Sequence, residues 1–353
     1  MPARNAGFIV RIRLIFLFFC LCFLSRFGVK SESLPVASSA AGGPRVVMVE
    51  YREAVVAFQV RADKVRAMVD RGLLKLTGSS NVVQGWRTLV STQDVIGIKV
   101  ASVAGGTSGT RPAVAASVIE GLIEAGVPST NIVIWDRHLA DLRAAGFSDL
   151  ARRLNVRLAG SVESGYNEAV SYESPILGTL VWGDLEYGRK DAKGRKSYVS
   201  KLLTGQFTKI ITIAPLFNHN LAGVNGCLCS LALSSVDNSA RFEIQSDRLA
   251  KAVPEIYAME ALSDHVVLNM IDALIAQYDG EQVSLLHYST ELNQVWLSKD
   301  PVALDSLAIQ ALSQERENRK MAPANRNPAL YETAAFIELG VCDLTRIRVE
   351  MAR

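Results

Sequence analysis

KIITIAPLFNHNLAGVNGCLCSLALSSVDNSARF, Lys209 to Phe242, is the stretch from which the rest of the chain is read. Its opening apolar run, Ile210 to Pro215, has the composition of a buried strand. The run empties into Asn218, His219 and Asn220. A short segment bounded by Gly223 and Gly226 follows, then small apolar residues, and the stretch closes on Asp237, Asn238 and Arg241. Hydrogen-bonding side chains at the exit of a buried strand mark a candidate site. In a parallel sheet, other strand exits arrive at the same edge.

Upstream, Asp94 to Val100 (DVIGIKV) reads as a second buried strand. Lys99 stands inside its apolar run, either snorkelling from the strand end or aimed into a site. The loop Ala104 to Thr110 follows, then a helix from Pro112 to Ala125 and a strand from Asn131 to Trp135. Strand, loop, helix and strand make a βαβ unit with a right-handed crossover. The loop lacks the spacing of a P-loop or of a dinucleotide fingerprint. Amides at a helix start still favour an anion, so Thr107, Ser108 and Thr110 are candidate ligand-binding residues. The alternative is a flexible turn in which Thr110 or a neighbour caps the helix. Asp136 leaves the next strand on the same carboxyl edge, whereas His138 reads as a residue of a solvated turn.

Further on, Val266 to Met270 is a strand candidate, although the longer run VVLNMIDALIAQY also fits a helix. Asp300-Pro301 opens a helix with Asp at the N-cap and Pro at the first turn. Asp305 lies inside the apolar arc drawn by Val302, Leu304, Leu307, Ala308 and Leu312. A carboxylate there must be paired, hydrogen-bonded or part of a site. The pattern predicts an α/β fold, a mostly parallel sheet flanked by helices, over residues 44–353. Residues 160–207, polar and glycine-containing, read as an insertion or a second, smaller lobe.

The 353 residues are 49% hydrophobic, enough for one large core or two lobes. The net charge of +3 is set by residues 1–40, which hold five basic residues and one acid. The remainder carries 33 basic and 34 acidic residues, without the basic excess that nucleic-acid binding needs. Its one basic cluster, Arg189, Lys190, Lys193, Arg195 and Lys196, reads as a solvated loop or a partner patch. Residues 1–43 are a targeting segment. Arg4, Arg11 and Arg13 precede the apolar run Leu14 to Leu24, which is too short to span a bilayer readily. A small, polar region follows. The expectation is export, with the segment either cleaved as a signal peptide or retained as an N-terminal anchor, the sole membrane contact. Past it stand Cys227, Cys229 and Cys342, with no C-x-x-C, so an iron–sulfur cluster lacks ligands.

Over about residues 94–350 these motifs resemble the family called domain of unknown function 362. The resemblance rests on Lys99 with its Gly/Thr loop, Asn131–Asp136, His219-Asn-Leu-Ala-Gly223, Val236-Asp-Asn238 with Arg241, Asn269–Leu274, Tyr278-Asp-Gly280 and Ser298–Asp305. It implies an α/β fold and often export, and no particular activity. Some relatives carry ferredoxin clusters. The resemblance also implies lysines where this chain has Phe217 and Cys229-Ser230.

Two functions compete. In the first, an exported enzyme acts on a small anionic molecule, with His219 as acid/base, Asp305 or Asp300 orienting it, and Lys99 with the Thr107–Thr110 loop holding the anion. Asn218, Asn238, Arg241 and Asp136 complete its ligand-binding set. In the second, the same residues hold a ligand or a metal without turnover, or the chain is a vestigial member that has lost the implied lysines. A metal would need His219, Asp136, Asp300 and Asp305 to converge.

Overall fold

The computed structural model describes residues 42–280, 283–324 and 326–352. Residues 1–41, on which the expectation of a targeting segment rests, lie outside the described residues. The strands used below are β1 (Arg45–Glu50), β2 (Ile96–Val100), β3 (Ile132–Asp136), β4 (Arg157–Gly160), β5 (Tyr166–Thr179), β6 (Lys193–Ser200), β7 (Lys209–His219), β8 (Val266–Gln277), β9 (Ser289–Ser298) and β10 (Arg348–Ala352). The helices used below are α1 (Ala62–Thr77), α2 (Pro112–Glu124), α3 (Cys227–Ser235), α4 (Ser246–Tyr257), α5 (Pro301–Asn318) and α6 (Pro328–Phe336).

Eight strands form one sheet in the order β10-β1-β9-β8-β7-β2-β3-β4, and the short strand Gly223–Val224 joins β7 as a ninth. The neighbours β8, β7, β2, β3 and β4 are all parallel, so their carboxyl ends share one edge. β9 runs antiparallel to both β8 and β1. β7 is buried along nearly its whole length because both faces are covered, as its unbroken apolar run requires. On one face Ile98, Ile134, Ile211, Met270 and Leu297 pack with residues of α1 and α2. On the other Trp135, Ile210, Ala214, Ile271 and Trp296 pack with residues of α3, α4, α5 and α6. Each buried Ile or Leu contributes about 1.5–3 kcal/mol, which makes this two-sided burial the main stabilising term.

Several local readings are refined. The run from Val266 is strand through Gln277, because both neighbours pair with it. Residues 160–207 hold an antiparallel hairpin, β5 with β6, set apart from the main sheet. The glycine-rich loop contains one helical turn, Gly105–Ser108. The N-cap of α2 is the neighbour of Thr110 and not Thr110 itself. That position falls to Arg111, without a side-chain bond, and the Thr110 hydroxyl is engaged elsewhere.

Candidate functional site

Lys99 pairs across the sheet with Trp135 on one side and Thr212 on the other. Its side chain runs toward α3 and is 1% exposed. The ammonium has three protons and three partners: Asp136 Oδ1 at 2.9 Å, Val100 O at 2.7 Å and Ser230 Oγ at 2.9 Å. Asp136 in turn accepts from five donors. Besides Lys99 these are the Arg137 amide at 2.8 Å, Ser234 Oγ at 2.9 Å, the Ser102 amide at 2.8 Å and Ser102 Oγ at 2.7 Å. Burial alone would raise the Asp136 pKa; the Lys99 charge and the Ser102 donors outweigh it and hold the carboxyl below its usual value. Burial pulls Lys99 below the usual lysine value against the Asp136 charge. All three protons of the ammonium and both carboxylate oxygens have partners, the arrangement of a charge-assisted pair.

A pocket of about 120 Å³ opens beside this pair at the carboxyl edge. Lys99, Asp136 and His219 line it, together with Arg137, Ser230 and Glu243. His219 ends β7, and its Nδ1 accepts from the amides of Leu221 at 3.2 Å and Ala222 at 3.1 Å. We therefore assign the neutral tautomer with the proton on Nε2. Burial lowers its pKa against the Glu243 charge, and a proton on Nδ1 would face two N–H donors.

The other predicted residues lie elsewhere, and two roles are corrected. Asp305 does not orient His219. It is fully buried, and its two oxygens accept from the amides of Cys227 at 2.7 Å and Leu228 at 2.9 Å, the first turn of α3. Gly226, the N-cap of α3, has no side chain to do this. A Cβ on Gly226 would lie 2.2 Å from Asp305 Oδ1, so the close approach requires glycine. Asp300 caps α5 through Ala303 N at 2.8 Å and holds Val341 N at 3.0 Å. Neither carboxylate lines the pocket.

Nor do Thr107, Ser108 and Thr110 line it; Ala101, Val103, Ala104 and Gly109 do. Thr110 Oγ1 donates to Ile213 O at 2.6 Å and accepts from Ala101 N at 2.9 Å, which ties the loop to β7. Ser108 bonds Ser284 at 2.8 Å, and Thr107 is exposed. Asn218 bonds Asn220 at 2.8 Å. Asn238 and Arg241 hold the hairpin. Asn238 Nδ2 donates to Gly194 O at 3.2 Å and Lys196 O at 3.1 Å, and Arg241 donates to Ile176 O at 2.6 Å and Ser197 Oγ at 3.0 Å.

Arg137, Ser234 and Glu243 were not singled out from the sequence, and Ser230 only as a departure from the family pattern. The signal existed for two of them. Ser230 and Ser234 are four apart on α3, one face of a helix. Arg137 had only its place after Asp136. Its Nε is buried without a hydrogen-bond partner, and its terminal nitrogen donates to Ser239 Oγ. Among the described residues no three His, Cys, Asp or Glu side chains gather as a metal would need, so the imagined set of His219 with three aspartates does not form.

The chain belongs to the Domain of unknown function (DUF362) family, whose profile matches residues 96–310, more than half of its length. No curated protein matches it. A solved structure of a protein from Thermotoga maritima, a structural-genomics target, is similar at 13% identity with a TM-score of 0.38, over 74% of this chain. The aligned part spans 60% of that protein.

Proposed function

We propose that the carboxyl-edge pocket binds a small molecule with an anionic group, and that the protein works by holding it and not by acid/base turnover at His219. The observation that supports this best is the Lys99–Asp136 pair. A buried ion pair stabilises a fold no better than apolar residues of its size. This one sits on the wall of a concave pocket, on the edge where α/β sheets bind ligands. Arg137 is the side chain suited to the anion, a planar donor fork with an unpartnered Nε. Turnover at His219 fits poorly, because its Nδ1 accepts two amide protons and Asp300 and Asp305 are committed to helix starts. Phe217 and Cys229, which stand where the family resemblance implies lysines, both line the pocket. The site is thus less cationic than that resemblance implies, which favours a small, weakly charged ligand. The same reading takes the protein to be exported, on the strength of Arg4, Arg11, Arg13 and Leu14–Leu24.

Native mass spectrometry of the purified full chain, with calorimetric titration of phosphate, sulfate and acetate, tests the binding. A retained mass or a measurable affinity is expected. Arg137→Ala should weaken it by about tenfold or more, the loss of one hydrogen bond to a charged group, with the unfolding midpoint unchanged. No retained mass and no affinity for any of the three anions would end the proposal.

A further inference from the structure

The hairpin β5–β6 carries the basic cluster of the sequence, and the pocket makes no use of it. Its tip also exposes Leu177 (52%), Val181 (48%), Trp182 (76%) and Tyr187 (56%). These are four of the thirteen exposed large apolar side chains among the described residues, within eleven positions. Arg189, Lys190, Lys193, Arg195 and Lys196 are exposed beside them. Of the nearby acids, Asp184 is buried, Glu186 is engaged by Arg189 at 2.7 Å and by the Tyr198 hydroxyl at 2.8 Å, Glu173 stands opposite Lys196, and Asp191 is exposed, so the five basic residues still outnumber the exposed acids.

Register puts members of the two sets on one side at the base of the tip. Gly178 pairs with Gly194 and Thr179 with Lys193. A Cβ on Gly178 would run into Asn238 and Arg241, so Gly178 faces the body of the protein, and its partner Gly194 shares that side. Their neighbours Leu177, Lys193 and Arg195 therefore face outward together. The tip is also pinned. Asp184 accepts from the amides of Val181 at 2.8 Å and Asn238 at 2.9 Å, and Asp237 accepts from the Leu185 amide at 2.8 Å. Trp182 is thus turned outward on a backbone fixed by buried carboxylates.

From this juxtaposition we propose that the hairpin tip docks on the surface of a bilayer containing anionic phospholipids. Trp and Tyr rings prefer the interface between headgroups and acyl chains, and flanking Lys and Arg are drawn to an anionic leaflet. The occupant also matches the basic residues and apolar run within residues 1–40. A nucleic acid is the competing polyanion, and the chain beyond residue 40 lacks the basic excess for it.

Of the four tryptophans, Trp86, Trp135 and Trp296 are fully buried, so Trp182 reports on the tip. Its emission is isolated as full chain minus the Trp182→Phe variant. On phosphatidylglycerol vesicles with brominated acyl chains, this signal should shift to shorter wavelength and lose at least half its intensity. On pure phosphatidylcholine it should not change. A Lys190→Glu, Lys193→Glu, Arg195→Glu triple variant with an unaltered unfolding midpoint should lose the response, even where the N-terminal segment still sediments the chain with vesicles. An unquenched Trp182 on phosphatidylglycerol overturns the proposal. So does equal quenching of the triple variant, equal quenching on phosphatidylcholine, or a response to single-stranded oligonucleotide in place of vesicles.

Discussion

Asp136 is the hub of the candidate site. Five donors converge on it, whereas Lys99 serves three acceptors. Removing the hub strands an ammonium, two amides and two hydroxyls. Removing the lysine leaves Asp136 with four donors. Asp136→Ala should therefore cost about 3–5 kcal/mol, the range for breaking a buried pair, and Lys99→Met clearly less. Urea unfolding of the two variants checks the order, and a larger loss for Lys99→Met would show that the aspartate is not the hub. The sequence made Lys99 and Asp136 legible as strand-end polar residues. It could not show that they pair, since 37 positions and a crossover helix separate them along the chain and only the register of β2 on β3 brings them together.

At the scale of elements, α3 begins without a cap of its own and takes Asp305 from α5 in its place. Burial pushes the Asp305 carboxyl up to about 7, against the two amides that lower it. A carboxyl raised on folding contributes stability that is whole below about pH 4, its unfolded value, and is lost as the pH rises through the folded one. Asp237, raised to about 6 mainly by burial, adds in the same sense. Asp305→Asn turns an amide N–H toward a helix N–H and should cost about 1–3 kcal/mol. The gap in unfolding midpoint between the native chain and this variant should be widest at or below about pH 4 and narrow toward pH 8. A gap that widens with pH would mean that the helix start holds the carboxylate ionised. The apolar arc around Asp305 correctly announced a buried carboxylate, and the one-dimensional pattern stopped there. A functional site and a helix start place the same demand on that position.

At the scale of the whole molecule, the parallel run of five strands supplies an edge, and the insertion between β4 and β7 supplies a separate hairpin. Residues 14–24 lie outside the described residues, and among those described no helix is long and apolar enough to cross a membrane. Under the export proposal, fractionation of a carboxyl-tagged full chain should find it outside the cytoplasm. Recovery from the cytoplasm with its first 24 residues intact would sink that reading.

The sequence by itself determined the α/β class, because runs such as Ile210–Pro215 and Ile96–Val100 bury on two faces only within a parallel sheet. It also determined the N-cap at Asp300, because Asp followed by Pro is a local signal read within one turn. Only the tertiary structure decided which polar residues meet. His219, Lys99 and Asp136 gather because parallel strands deliver their ends to one edge. Asp305, one helical turn beyond Asp300, is directed to the start of α3. Arg241 and Asn238, which read as part of the site, hold a hairpin whose partner strands begin tens of residues earlier. Burial and periodicity are properties of neighbours along the chain, while the partner of a buried charge is chosen by contacts between distant segments.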